Sequence, residues 1–180
     1  MLSTQFSTAH LASAERTDAW QRWFQPIFDV APNGSAPESF VASNRGWNLG
    51  GLVVSYVAAP SATVVRGKTN LASAPVDHWV LALCHKGETG IETARSTLHA
   101  PAGIPFLWSL GEASRSVRTA VDRVQILMPR DMFPDIRAEL DALRGSVLGT
   151  PASIVLAEYV TALERWLPPD AAPLVEHARK

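Results

Sequence analysis

The sequence is short of cysteine, of clustered charge and of paired histidines, and each shortage removes a class of function. Its one cysteine, Cys84, cannot close an internal disulfide, so the fold must rest on a packed core. Sixteen basic side chains face 17 acidic ones, six against six over residues 1–90 and ten against eleven over residues 91–180. A surface that holds nucleic acid by its phosphates needs clustered Lys and Arg, whose counterion release supplies the free energy, and neither half has such a cluster. No basic segment followed by an apolar run occurs up to Arg16, so the cytoplasm is the expected compartment. The stretch Gly46 to Val65 holds no charged residue and is long enough to span a bilayer. It also carries Asn48, Gly50, Gly51, Ser55 and Pro60, and its bulky residues alternate as strands do, so no membrane partner is expected.

What is present is a core. Leu, Ile, Val and Phe account for 46 of 180 residues, enough for one ordinary domain over residues 1–180. Ser13 can cap a helix from Ala14 to Gln25, with Trp20, Trp23, Phe24 and Ile27 at helical spacing and Pro26 ending it. Residues 31–37 read as a loop. From about residue 39 to 130 the period changes to 2, with Gly, Pro and Asn clusters every 8–12 residues or so, the pattern of a sandwich or barrel. Strands are expected at Trp47–Ala58, Ala62–Lys68, His78–His85, Gly90–Leu98, Pro105–Leu110, Ser114–Thr119 and Arg123–Met128, with a bulge at Gly50-Gly51. The His78 strand is apolar on both faces and should be central, with Val53–Val57, which has the same two-sided apolarity, as its partner. The fold class is therefore mainly β with flanking helices, an α+β chain built on a cupin-like or jelly-roll β-barrel and followed by a C-terminal helical pair. Of that pair, Ile136 to Leu143 is closed by Gly145, and the second helix is capped by Thr150 with Pro151 at its first position. Pro168-Pro169 breaks it, and Asp170 can cap a further helix running to Lys180.

A cupin-type enzyme needs two or three metal ligands converging from neighbouring strands, usually with a His-x-His pair. His78 and His85 are seven apart and lie on opposite faces, so no metal, cofactor or catalytic residue is assigned. Nor is there a Gly-x-Ser-x-Gly elbow or a glycine-rich phosphate loop, and Cys84 sits mid-strand as a small hydrophobe. The aromatic residues remain. Trp47, Tyr56, Trp79, Phe106 and Trp108 fall on strands and, with Arg66, form a candidate small-molecule pocket, although the same rings can simply fill a core. Arg66 could neutralise an anionic ligand or pair with Asp77 or Glu92. The stripe Leu156, Tyr159, Val160, Leu163 and Trp166 can pack on the sheet or form a seam for a second copy, making a homodimer.

The ordered set of motifs resembles one family. A helix with Trp20 and Phe24-Gln-Pro-Ile-Phe, Gly50 to Ser55, the Arg66 strand, Asp77-His-Trp-Val-Leu with Gly87, Met128-Pro129-Arg130 and the helix Leu156 to Leu167 resemble the amino-terminal regulatory domain of AraC-type transcriptional activators. The likeness runs from about Arg16 to Leu167, and Pro129-Arg130 is its most telling piece. It departs at Pro101-Ala-Gly103, where the family commonly has Pro-Gly-Asp. The resemblance implies a non-catalytic module: a barrel that senses a small-molecule effector, a helical dimerisation segment over about residues 131–168, and a linker starting at 169–180. DNA would be bound only through a helix-turn-helix domain absent from this chain. A cupin-type enzyme and a stand-alone binding module are the alternatives.

Overall fold

The computed structural model describes residues 2–34 and 40–167, so the linker and further helix expected over 168–180 lie outside the described residues. Two antiparallel sheets face each other in a jelly roll. One sheet has seven strands in the order β1-β3-β4-β11-β6-β9-β12, and the other has five in the order β2-β5-β10-β7-β8. The strands of the first are β1 (Leu2–Ser7), β3 (Ser43–Leu49), β4 (Leu52–Ala59), β6 (His78–Lys86), β9 (Phe106–Ser109), β11 (Val121–Pro129) and β12 (Ser146–Val147). Those of the second are β2 (Asp29–Pro32), β5 (Ala62–Arg66), β7 (Thr89–Thr93), β8 (Thr97–Ala100) and β10 (Ser114–Arg118). Among the described residues four α-helices complete it: α1 (Arg16–Phe24), α2 (Lys68–Ser73), α3 (Arg137–Leu143) and α4 (Pro151–Trp166).

The two-sided apolar pattern of β6 has a direct structural cause. Trp79, Leu81 and Leu83 face outward into a cluster with Val160 and Leu167. Val80, Ala82 and Cys84 face inward with Ile91, Leu98 and Phe106. A strand covered by helices on one side and by a second sheet on the other must be apolar on both. Val53–Val57, in β4, is not its partner as expected: β6 pairs with β11 and β9, and β11 lies between it and β4, because two-sided apolarity marks a covered strand without saying which strand lies beside it.

Several expected boundaries move. Gly50-Gly51 is a hairpin turn between β3 and β4 rather than a bulge, and both glycines have positive φ, +72° and +108°. The expected strand Gly90–Leu98 is two strands, β7 and β8, joined by a turn that Thr93 and Ser96 hydrogen-bond. Residues 31 and 32, read as loop, belong to β2, which pairs with β5. β1 and β2 both join the sheets from outside the 39–130 span expected for the barrel. Short strands at sheet edges carry too few residues for periodicity to reveal them. The strand expected over Ala62–Lys68 stops at Arg66, and the short helix α2 follows, where the Asn70 side chain accepts from the Gly67 N–H at 2.8 Å.

At the carboxy-terminal end, Gly145 (φ +80°) follows α3, and Thr150 caps α4, its own N–H donating to Ser153 Oγ at 3.0 Å. Arg130, of the Pro129-Arg130 pair, bonds Asp77 at 2.6 Å and Ser109 at 3.0 Å, and pairs with Asp141 on α3. Its guanidinium lies 4.6 Å from the Trp79 ring centroid. One side chain thus fastens α3 to β6 and β9.

Candidate functional site

The six residues expected to share a pocket do not share one face. Trp47, Tyr56 and Trp79 lie on the outer face of the seven-stranded sheet, beneath α3 and α4. Trp79 donates its indole N–H to Asp141 at 3.0 Å, and Arg45 lies over the Trp47 and Tyr56 rings. Burial, then Asp122, then Glu164 hold the Tyr56 phenol above its usual pKa, so it stays neutral. These three rings are packing for the helices and are withdrawn from the pocket. Phe106 and Trp108 do face the interior.

Arg66 is fully buried but is neither a ligand group nor paired with Asp77 or Glu92. Its Nε donates to Leu110 O at 2.6 Å, Nη1 to Ile27 O at 2.9 Å, and Nη2 to Ala74 O at 2.8 Å and Val76 O at 3.4 Å. A guanidinium that gives four of its five N–H donors to carbonyls ties the segment after α1, the end of α2 and the segment after β9 to β5.

The interior between the sheets holds two adjoining cavities. One, of about 250 Å³, lies among Asn44, Ser55, Val80, Leu110 and Leu127. The other, of about 40 Å³, reaches Val57, Val64, Val121, Arg118 and Arg123. Phe24, Phe28, Trp108 and Gln125 line both, so the two adjoin at these side chains and together make up the chamber of the barrel. α1 closes it from outside: Trp20 and Phe24 reach the smaller cavity and Trp23 and Phe24 the larger. Trp23 is anchored by a stacked contact with Phe6 at 4.7 Å and a bond to Asn44 Oδ1 at 3.2 Å. Together the cavities lie at the lower edge of the range of about 300–1,000 Å³ usual for small-molecule pockets.

Four buried polar atoms around this chamber have no hydrogen-bond partner: Trp108 Nε1, Gln125 Oε1, and Nε and Nη1 of Arg123. Sequence reasoning named Trp108 and missed Gln125, Arg118 and Arg123. The signal was faint but present. On β10, Ser114, Ser116 and Arg118 turn inward while Val117 is exposed, the reverse of the usual polar-out alternation. A larger depression between α1 and β2, about 430 Å³, is lined by Asp18, Arg22 and Asp29 together with Gln21 and Gln25, and none of its polar side-chain atoms is buried without a partner. Among the described residues no three His, Cys, Asp or Glu side chains converge as metal ligands, and no helix is long and apolar enough to cross a membrane.

The helical seam also divides. Val160 is 1% exposed and packs, with Leu156, Leu163 and Leu167, on the outer face of the seven-stranded sheet. Tyr159 is 61% and Trp166 86% exposed, and with Val155 and Ile154 they leave apolar side chains of α4 uncovered among the described residues. Glu164 on α4 pairs with His85 at 3.1 Å and Arg45 at 3.6 Å, fixing which face turns outward.

No protein-family model matches this chain, and no curated protein sequence does. Among solved structures, the AraC-like transcriptional activator CuxR is 30% identical with a TM-score of 0.81, over 90% of this chain and 60% of that one. This chain therefore spans about 60% of the activator's length. An ectoine synthase from P. lautus (18% identical, TM-score 0.35) matches over 49% of this chain and 64% of that one. A cupin-2 domain from Rhodospirillum rubrum (14%, TM-score 0.34) matches over 77% and 88%.

Proposed function

We propose that this chain, which carries the cupin-type regulatory domain fold of AraC-like transcriptional regulators, senses a small molecule in its barrel and pairs with a second copy through α4. The observation that most supports the reading is the sharing of one sheet by the chamber and the helices. On β11, Arg123, Gln125 and Leu127 face the chamber while Val124 and Ile126 face α4. A ligand that fits one placement of β11 better than another biases the helices packed on its far side, and only that difference in affinity can shift the balance. In a full-length regulator the bias would pass from α4 to a DNA-reading part outside these 180 residues, in the cytoplasm. That the relative is a transcriptional activator favours regulation over catalysis.

Dimerisation is tested by sedimentation equilibrium of the wild type and of Tyr159→Ser/Trp166→Ser. Both substituted side chains are exposed, so the double variant should keep its melting temperature while its dimer dissociation constant rises at least about tenfold, as expected for two aromatic contact residues. A wild type that is monomeric at high micromolar concentration, or a double variant that dimerises as well as the wild type, would sink the α4 part of the proposal.

A further inference from the structure

The interior of this barrel contains two arginines with no carboxylate to answer them. β10 ends at Arg118 and β11 begins at Val121, so the short turn Thr119-Ala120 brings the inward positions 118 and 123 to the same end of the chamber. Arg123 is 2% exposed, and its Nε and Nη1 have no partner. Arg118 is also buried; its Nε donates to Ser116 Oγ at 3.1 Å. Among the described residues neither forms a salt bridge. Two like charges buried at one end of the chamber are costly, and each unbonded donor adds to that cost.

Arg66 shows what a structural arginine looks like in the same barrel, since its buried guanidinium has hydrogen-bond partners at Nε, Nη1 and Nη2 alike. Arg123 has no partner at Nε or Nη1, Arg118 is bonded through Nε to the Ser116 hydroxyl alone, and both line a cavity. Resting on the sensing role proposed above, we propose that they are the recognition end of the chamber and that its ligand is a small organic carboxylate with an apolar body. A planar guanidinium offers paired N–H donors that match a carboxylate, and the second cation adds charge without adding another anion. The walls beyond them, Phe28, Val57, Val64 and Trp108, suit an aliphatic or aromatic body rather than a free inorganic ion. Trp108 Nε1 and the Gln125 amide stand where the two cavities meet and can take a second polar group on that body. Burial first, and the Arg123 charge second, hold the Arg118 pKa well below its usual value, and a bound anion relieves both effects.

The test uses benzoate and hexanoate as probes, with benzamide and hexanamide as neutral partners of matching shape, and follows thermal unfolding and titration calorimetry. The acids are expected to raise the melting temperature with concentration, because they bind only the folded chain. The amides should bind about ten- to a hundredfold more weakly, the loss expected when a charge-assisted bond is removed. Arg123→Met and Arg118→Met should each lose acid binding by a similar factor while the unliganded protein melts no lower than the wild type, since each variant removes a buried charge that no carboxylate answers. If the amides bind as well as the acids, the chamber senses a ligand but the arginines do not select charge, and the inference fails while the sensing role stands. If inorganic phosphate alone stabilises as much as the acids, the organic body is refuted. If neither acid nor amide binds, both readings fall. Methionine variants that melt well below the wild type and still bind the acids would return the two arginines to a structural role.

Discussion

Four arginines show that burial alone does not fix a role. Arg66 holds four carbonyls, Arg130 holds two carboxylates, and Arg118 and Arg123 hold neither. Replacing Arg66 with Met leaves the Leu110, Ile27 and Ala74 carbonyls without this donor inside the fold, and the expected loss is about 3–5 kcal/mol, read as a lower urea midpoint at an unchanged slope. Asp141 is more exposed and its effect is smaller. Burial alone would raise its pKa, but its hydrogen bonds to Arg130 and Trp79 outweigh this and hold the carboxyl below its usual range. A folded pKa lower than the unfolded one stabilises the chain above the unfolded value, near pH 4, and that stability is lost as pH falls through the folded value. Asp141→Asn should therefore cost about 0.5–1 kcal/mol at neutral pH, and the gap from wild type in urea midpoint should close as the pH is taken below about 4.

At the scale of elements, the turns show why glycines of similar backbone geometry are not equivalent. Gly50 and Gly87 have φ of +72° and +73°. A Cβ at Gly50 would meet nothing within 4 Å, whereas one at Gly87 would lie 2.2 Å from the Ala120 carbonyl oxygen, because the β6–β7 turn packs on the β10–β11 turn. Gly50→Ala should cost about 1 kcal/mol for the left-handed conformation alone, and Gly87→Ala at least about 2–3 kcal/mol, both measurable by thermal unfolding. The second turn also places Arg118 and Arg123 together, so strain at Gly87 should reach the chamber. Element type was legible where a period ran long enough. The α1 stripe, the two-sided apolar run of β6 and the Thr150-Pro151 start of α4 all carried it, whereas β1, β2 and β12 are edge strands too short or too mixed to announce themselves.

For the molecule as a whole, one sheet has two tasks. Its inner face bounds the chamber and its outer face seats α3 and α4, so an aromatic residue on it belongs to one or the other according to its parity along the strand. The sequence shows that Trp79 and Val80 point opposite ways, but not which way is inward. That depends on where α4 lands, and α4 is held by Val160, Leu163 and the Glu164 pairs, all distant in sequence from β6. The dimer prediction belongs to this scale too: among the described residues Tyr159 and Trp166 are exposed because Val160 and Leu163 turn toward the chain's own sheet. Periodicity, caps and turn residues are local, and they determined a mainly β chain with a leading helix and trailing helices. The assignment of Trp47, Tyr56 and Trp79 to packing, the use of Arg66 as a tie among loops, and the meeting of Arg118 with Arg123 inside the barrel were decided only by tertiary structure. Each depends on contacts between segments far apart in the chain, and a single strand's pattern does not record which of its faces another element will cover.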